Sequence, residues 1–104
     1  MNYQTFKSLN KDDILRYLKD NKHRFLKKYQ ISQIALFGSY SRNEEKDDSD
    51  IDIAIKTKLS DYFVLYDFKD ELEKIFHTKV DIVRLREKMN QSLKRRIQQE
   101  ATYV

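Results

Sequence analysis

Ala35-Leu36-Phe37-Gly38-Ser39-Tyr40-Ser41-Arg42, and then, after a charged stretch, Asp48-Ser49-Asp50-Ile51-Asp52-Ile53-Ala54-Ile55, decide how this chain is read. One apolar run ends in Gly38-Ser39, and a second opens on Asp50-Ile51-Asp52. Gly38 is the only glycine in the sequence, which marks a place where a side chain does not fit. In a strand, period 2 sets Asp50, Asp52 and Ala54 on one face and Ile51, Ile53 and Ile55 on the other. Two adjacent carboxylates each disfavour ionisation of the other, and a divalent cation removes that conflict. Oxygen ligands without His or Cys favour Mg²⁺ or Mn²⁺. Taken alone, an Asp-X-Asp also suits a strand edge where acids meet solvent or lysines, and a Gly-Ser pair also suits a plain turn. If a helical turn follows Gly38, its free N–H groups make an anion site. The Ser39 hydroxyl then adds a donor, and Arg42, one turn on, can reach phosphate.

Working outward, the apolar spacing of Ile14, Leu15, Leu18, Phe25, Leu26 and Tyr29 predicts one helix over 11–29, capped by Asn10 with Asp12 and Asp13 in its first turn. His23 reads as a surface residue. Residues 33–37 read as a strand apolar on both faces, hence covered on both. A helical turn over 39–43 and an exposed loop over 44–48 lead to a strand over 50–56. Ser60 is the expected cap of a helix over 61–77 with Leu65, Phe68, Leu72, Ile75 and Phe76 along its stripe, and His77 at its end suits the helix dipole. Residues 79–83 read as a third strand. A last helix over 90–103 carries Leu93, Ile97 and Ala101, with Lys94, Arg95 and Arg96 mostly off that stripe. The order predicts an α/β (α+β) layer fold: a small mixed sheet of about three strands packed with about four helices.

Composition sets the outer bounds. A chain of 104 residues is read as a single domain, 1–104, with one core. Charged residues make up 37% of it, yet seven tyrosines and six phenylalanines argue against disorder. No apolar stretch is long enough to span a membrane, the amino terminus shows no signal core, and cysteine is absent. The expected location is the cytoplasm, without a membrane partner. The net charge of +4 comes from interleaved signs and suits either a solvated surface or a polyphosphate ligand.

Asp81 adds the third piece. It is a lone acid within Val80-Asp81-Ile82-Val83, and acids are poor strand residues and costly to bury unpaired. If the third strand lies beside the second, Asp81 faces Asp50 and Asp52 and completes a two-metal site, in which one ion binds a triphosphate and the other activates a hydroxyl.

Gly38-Ser39, Asp50-X-Asp52 and the later Asp81 together resemble the signature of the nucleotidyltransferase superfamily that includes DNA polymerase β. The wording Leu36-Phe37-Gly38-Ser39-Tyr40-Ser41-Arg42 and the ending Glu100-Ala101-Thr102-Tyr103-Val104 are similar to its minimal nucleotidyltransferase (MNT) family, over nearly the whole chain. The resemblance implies a nucleotidyltransferase fold in which Asp50 and Asp52 bind two Mg²⁺ ions (Mn²⁺ as the alternative). Asp81 would bind the catalytic ion and help deprotonate the acceptor. Gly38 and Ser39 would hold the phosphates of ATP, with Arg42 and Ser49 grouped alongside them. It also implies an antitoxin that transfers AMP from ATP to a tyrosine of a HEPN ribonuclease toxin, its expected partner. Ser41 and Asn43 depart from the Ala and Gly often found there. Asparagine tolerates left-handed backbone, so Asn43 leaves the metal site unaffected.

Only one helix follows the presumed site, so the acceptor is expected from a partner, which favours a protein substrate. Two other readings stand beside transfer to a toxin. One is an antitoxin that acts by contact alone. The other is nucleotidyl transfer to RNA or a small molecule, in which Arg84, Arg86, Lys94, Arg95 and Arg96 would form a groove; nucleic acid is the less favoured partner.

Overall fold

The computed structural model describes residues 9–59 and 61–104. Among them, four helices and four strands follow in the order α1 (Lys11–Asp20), α2 (Lys22–Tyr29), β1 (Ile31–Phe37), β2 (Ile51–Thr57), α3 (Tyr62–Phe76), β3 (Val80–Arg84), α4 (Gln91–Glu100), β4 (Thr102–Tyr103). The sheet is mixed, in the order β3-β2-β1-β4. β1 is antiparallel to both β2 and β4, and β2 is parallel to β3.

β1 and β2 each have two apolar faces with different covers. Ile34, Leu36, Ile51, Ile53 and Ile55 join Ile14, Leu18, Phe25, Phe68 and Leu72 in the larger core under α1, α2 and α3. Ala35, Phe37 and Ala54 form a smaller core with Ile97 of α4. Burying one such isoleucine stabilises the fold by about 1.5–3 kcal/mol. This two-sided cover is the one expected for β1. By alternation Asp52 shares the face of Ala54, so the carboxylates lie on the thinly covered α4 side.

Three readings are corrected. The predicted helix over 11–29 is two helices, interrupted at Asn21. The Asn21 side-chain amide donates to the Tyr17 carbonyl at 2.9 Å, and the Asn21 N–H reaches the same oxygen at 3.1 Å. A side chain that takes a ladder carbonyl competes with the helix. Leu26, expected in the apolar stripe, is exposed, whereas Phe25 and Tyr29 are buried. The last helix stops at Glu100: Ala101 is extended (φ −68°, ψ 134°), and Tyr103 and Thr102 pair with Ala35 and Leu36 as a fourth strand.

The caps follow the sequence more closely. Asn10 and Asp13 form a reciprocal capping box on α1. The Asp61 side chain caps α3 by accepting from Phe63 N–H at 2.9 Å; the expected cap, Ser60, lies outside the described residues. His77 ends α3 in left-handed backbone (φ 52°).

Candidate active site

Gly38 ends β1 with φ +77°, and a Cβ built there would collide with the Asp52 carboxylate. The lone glycine is therefore required twice, once by backbone angle and once by the acid beside it. Phe37 pairs with Asp52, which is what brings the two predicted motifs together. The chain then makes the expected helical turn: Arg42 N–H donates to the Gly38 and Ser39 carbonyls at 3.2 Å, and Glu44 N–H to the Ser39 carbonyl at 2.9 Å. Asn43 ends the turn at φ 56°, a conformation asparagine reaches more readily than most side chains.

In the parallel β2–β3 register Asp52 stands directly beside Asp81, and side chains paired across neighbouring strands share a face. Asp50 precedes β2 by one residue. Burial raises the pKa of Asp52 most; Arg96 opposes that rise, while Asp81, Asp50 and Glu100 add to it. Two aspartates and Glu100 thus act on one half-buried carboxylate, that of Asp52. Among the described residues, no three His, Asp or Glu side chains are gathered into a ready-made metal cage. The donor set still fits a hard divalent cation: it consists of carboxylate oxygens, with an excess of negative charge at Asp52 that one guanidinium only partly offsets.

Ser49 has a local role. Its hydroxyl accepts from Lys46 N–H at 2.8 Å, and its own N–H returns to the Lys46 carbonyl at 3.0 Å. It shapes the turn that delivers Asp50. Arg42 pairs with Glu44 at 3.2 Å and Glu100 at 2.7 Å, and hydrogen bonding to Glu44 is the main reason that its pKa is raised.

Two residues of α4 were not singled out as site residues from the sequence. Glu100 Oε2 accepts from Gly38 N–H at 3.2 Å and from Arg96 Nε at 3.3 Å. Arg96 lies over the Phe37 ring, 5.6 Å from its centroid, with Nη2 3.9 Å from Asp52 Oδ2. Ser41, buried at 6% exposure, donates its hydroxyl to the Glu100 carbonyl at 2.6 Å and shares a hydrogen bond with Thr102 Oγ1 at 3.1 Å. The serine that departs from the family's alanine thus fastens the Gly38 turn to the end of α4. The sequence signal for this pair is a four-residue spacing of opposite charges flanking Ile97.

The family model described as polymerase β, nucleotidyltransferase, matches residues 11–104. The chain belongs to this family. Relatives are consistent with it. A Methanocaldococcus jannaschii protein, provisionally named protein adenylyltransferase, is 34% identical over 93 residues, covering 88% of this chain and 95% of that protein. Protein adenylyltransferase MntA of Thermococcus cleftensis is 26% identical over 94 residues, covering 89% and 94%. Among solved structures, a chain of a toxin–antitoxin crystal structure with AMP-PNP superposes with a TM-score of 0.67 at 28% identity, covering 91% of this chain and 72% of that one. A chain from the tri-AMPylated Shewanella oneidensis HEPN toxin in complex with MNT antitoxin gives 0.58 at 27%, covering 90% and 67%. In this nucleotidyltransferase no helix among the described residues is long and apolar enough to cross a membrane.

Proposed function

We propose that this nucleotidyltransferase is an antitoxin that transfers AMP from ATP to a tyrosine hydroxyl of a HEPN-type ribonuclease toxin. The observation that carries the reading is the register of Asp52 beside Asp81, next to a glycine that has no room for a side chain. Toxin–antitoxin complexes and protein adenylyltransferases among its relatives support the choice of acceptor and nucleotide.

Asp50, Asp52 and Asp81 would hold Mg²⁺, which when bound offsets charge on the triphosphate and acidifies the acceptor hydroxyl. The turn after Gly38 offers backbone N–H groups and the Ser39 hydroxyl to the phosphates, with Arg42 at its edge. The tyrosine oxygen attacks the α-phosphorus of ATP. The new O–P bond replaces the bond to the bridging oxygen, pyrophosphate leaves with that electron pair, and Asp81 accepts the hydroxyl proton before passing it to solvent. No oxidant or reductant is involved.

Incubation with α-labelled ATP, Mg²⁺ and the product of the neighbouring gene tests this. Label on a tyrosine of that product, lost in the Asp50→Ala, Asp52→Ala double variant, is the expected result. Full neutralisation of the partner by the double variant, without label, would instead establish an antitoxin acting by contact.

A further inference from the structure

An open edge of the sheet lies along β3. This strand is at an end of the sheet, and among the described residues no strand pairs with its outer side. A groove of about 580 Å³ follows that edge, between β3 and α3. Its wall includes the consecutive residues 81–84. Consecutive strand residues point to opposite faces, so the groove follows the backbone edge itself rather than one face.

The opposite wall carries Tyr62 and Tyr66, one helical turn apart and 83% and 64% exposed. Lys69, Arg84 and Arg86 also line the groove, and Asp81 is the one acid among its lining residues. Among the described residues none of these three cations forms an ion pair. Arg84 Nη2 donates to the Thr57 carbonyl at 3.3 Å, and its buried Nε has no hydrogen-bond partner among the described residues. By contrast, the cations at the Gly38 turn, Arg42 and Arg96, are matched by Glu44, Glu100 and Asp52.

We propose that an extended, acidic segment of a partner protein adds to the free edge of β3 and occupies this groove, presenting the acceptor hydroxyl at Asp81. A segment paired with β3 gains main-chain hydrogen bonds, and its alternate side chains take opposite faces. The side chain that pairs with Asp81 falls on the face of Asp52 and Asp81. Those pointing the other way meet Tyr62 and Tyr66 on α3, and acidic flanks offset Lys69, Arg84 and Arg86. The acceptor assignment rests on the transfer reading above; the docking assignment does not.

The test uses fluorescently labelled peptides carrying one tyrosine: an acidic extended one, the same sequence with lysine at each acidic position, and a single-stranded RNA oligonucleotide as control. Anisotropy is measured with the full chain and with the Arg86→Glu and Tyr66→Ala variants, and binding of a fluorescent ATP analogue is measured in parallel. The acidic peptide is expected to bind about tenfold or more tighter than its lysine counterpart. Each variant is expected to weaken it by about tenfold while leaving nucleotide binding and the thermal transition unchanged.

Equal binding of both peptides, binding of neither, tighter binding of the RNA, or no effect of Arg86→Glu would overturn the proposal. So would a dimer in light scattering that Tyr66→Ala converts to monomer, because the groove would then hold a second copy. With Mg²⁺ and ATP added, an acidic peptide that binds without gaining AMP, while the toxin of the preceding test is labelled, leaves the docking assignment in place and overturns presentation of the acceptor at Asp81; a toxin left unlabelled overturns the transfer reading. If AMP reaches the lysine peptide as well as the acidic one, transfer stands and the groove assignment falls.

Discussion

The two flanks of the aspartates are built on opposite principles. On one, the Gly38 turn is tied to α4 through Ser41, Arg42, Arg96 and Glu100, and each cation has a carboxylate. On the other, among the described residues, β3 ends the sheet beside exposed tyrosines and cations that form no ion pair. A site that must hold a flexible polyphosphate gains from a fixed wall, because the cost of ordering is met on folding. A site that must admit a macromolecule needs an edge left open. The difference teaches that the braced flank should respond to substitution in stability and nucleotide binding, and the open flank in neither.

The largest effect is expected at the point the flanks share. Asp52→Asn should lower AMP transfer by about 10³-fold without loss of stability in urea. Burial and the neighbouring acids already oppose its charge, so the amide removes a repulsion along with an Arg96 contact that is long, at 3.9 Å. A variant that unfolds would show that Asp52 braces the sheet rather than serves the site.

Gly38→Ala comes next. The left-handed φ costs a side chain about 1–2 kcal/mol, and the added Cβ would push the Asp52 carboxylate aside. Displacement of a reacting group by about 1 Å can lower the rate by about 10²-fold, so transfer should fall by that order, alongside a measurable drop in the urea midpoint. Loss of stability with normal transfer would separate the glycine from the chemistry.

The parts of this candidate site that were legible in the sequence are those that break a local rule. A sole glycine after an apolar run and acids opening or interrupting strands are locally unfavourable, so Gly38, Asp52 and Asp81 stood out. Arg96 and Glu100 break nothing. Opposite charges four apart on a helix are what a solvated face looks like, and only the packing of Ile97 under β1 turns them toward Gly38. The same holds for the elements. The stripes of α3 and α4 and the alternation of β2 were legible because burial follows period. The break at Asn21 was not, because it depends on one amide reaching the Tyr17 carbonyl. Nor was β4, a two-residue strand that exists only because Ala35 and Leu36 offer it a partner.

Ser41→Ala probes the brace more gently. Its hydroxyl is buried, and removal leaves the Glu100 carbonyl without that donor and Thr102 Oγ1 without that hydrogen-bond partner. The expected cost is about 1 kcal/mol, read as a lower urea midpoint, with a modest loss in affinity for a fluorescent ATP analogue as the turn loosens. An unchanged midpoint with unchanged affinity would mean that the ion pairs of Arg42 and the Gly38–Glu100 hydrogen bond hold the turn without Ser41.

The smallest expected effect is on the open flank. Tyr66→Ser and Tyr62→Ser replace groove-lining side chains that are 64% and 83% exposed, and serine is close to tyrosine in helix propensity. Neither side chain forms part of either core. Substitution of exposed residues away from caps, cores and ion pairs usually changes stability by less than about 0.5 kcal/mol, so the urea midpoint and nucleotide affinity should stay at the parent's values. A fall of more than about 1 kcal/mol, outside that range, would show that these rings pack against the chain itself. The α3 flank would then be a second braced wall rather than an open one, and the contrast between the two sides of the aspartates would not hold.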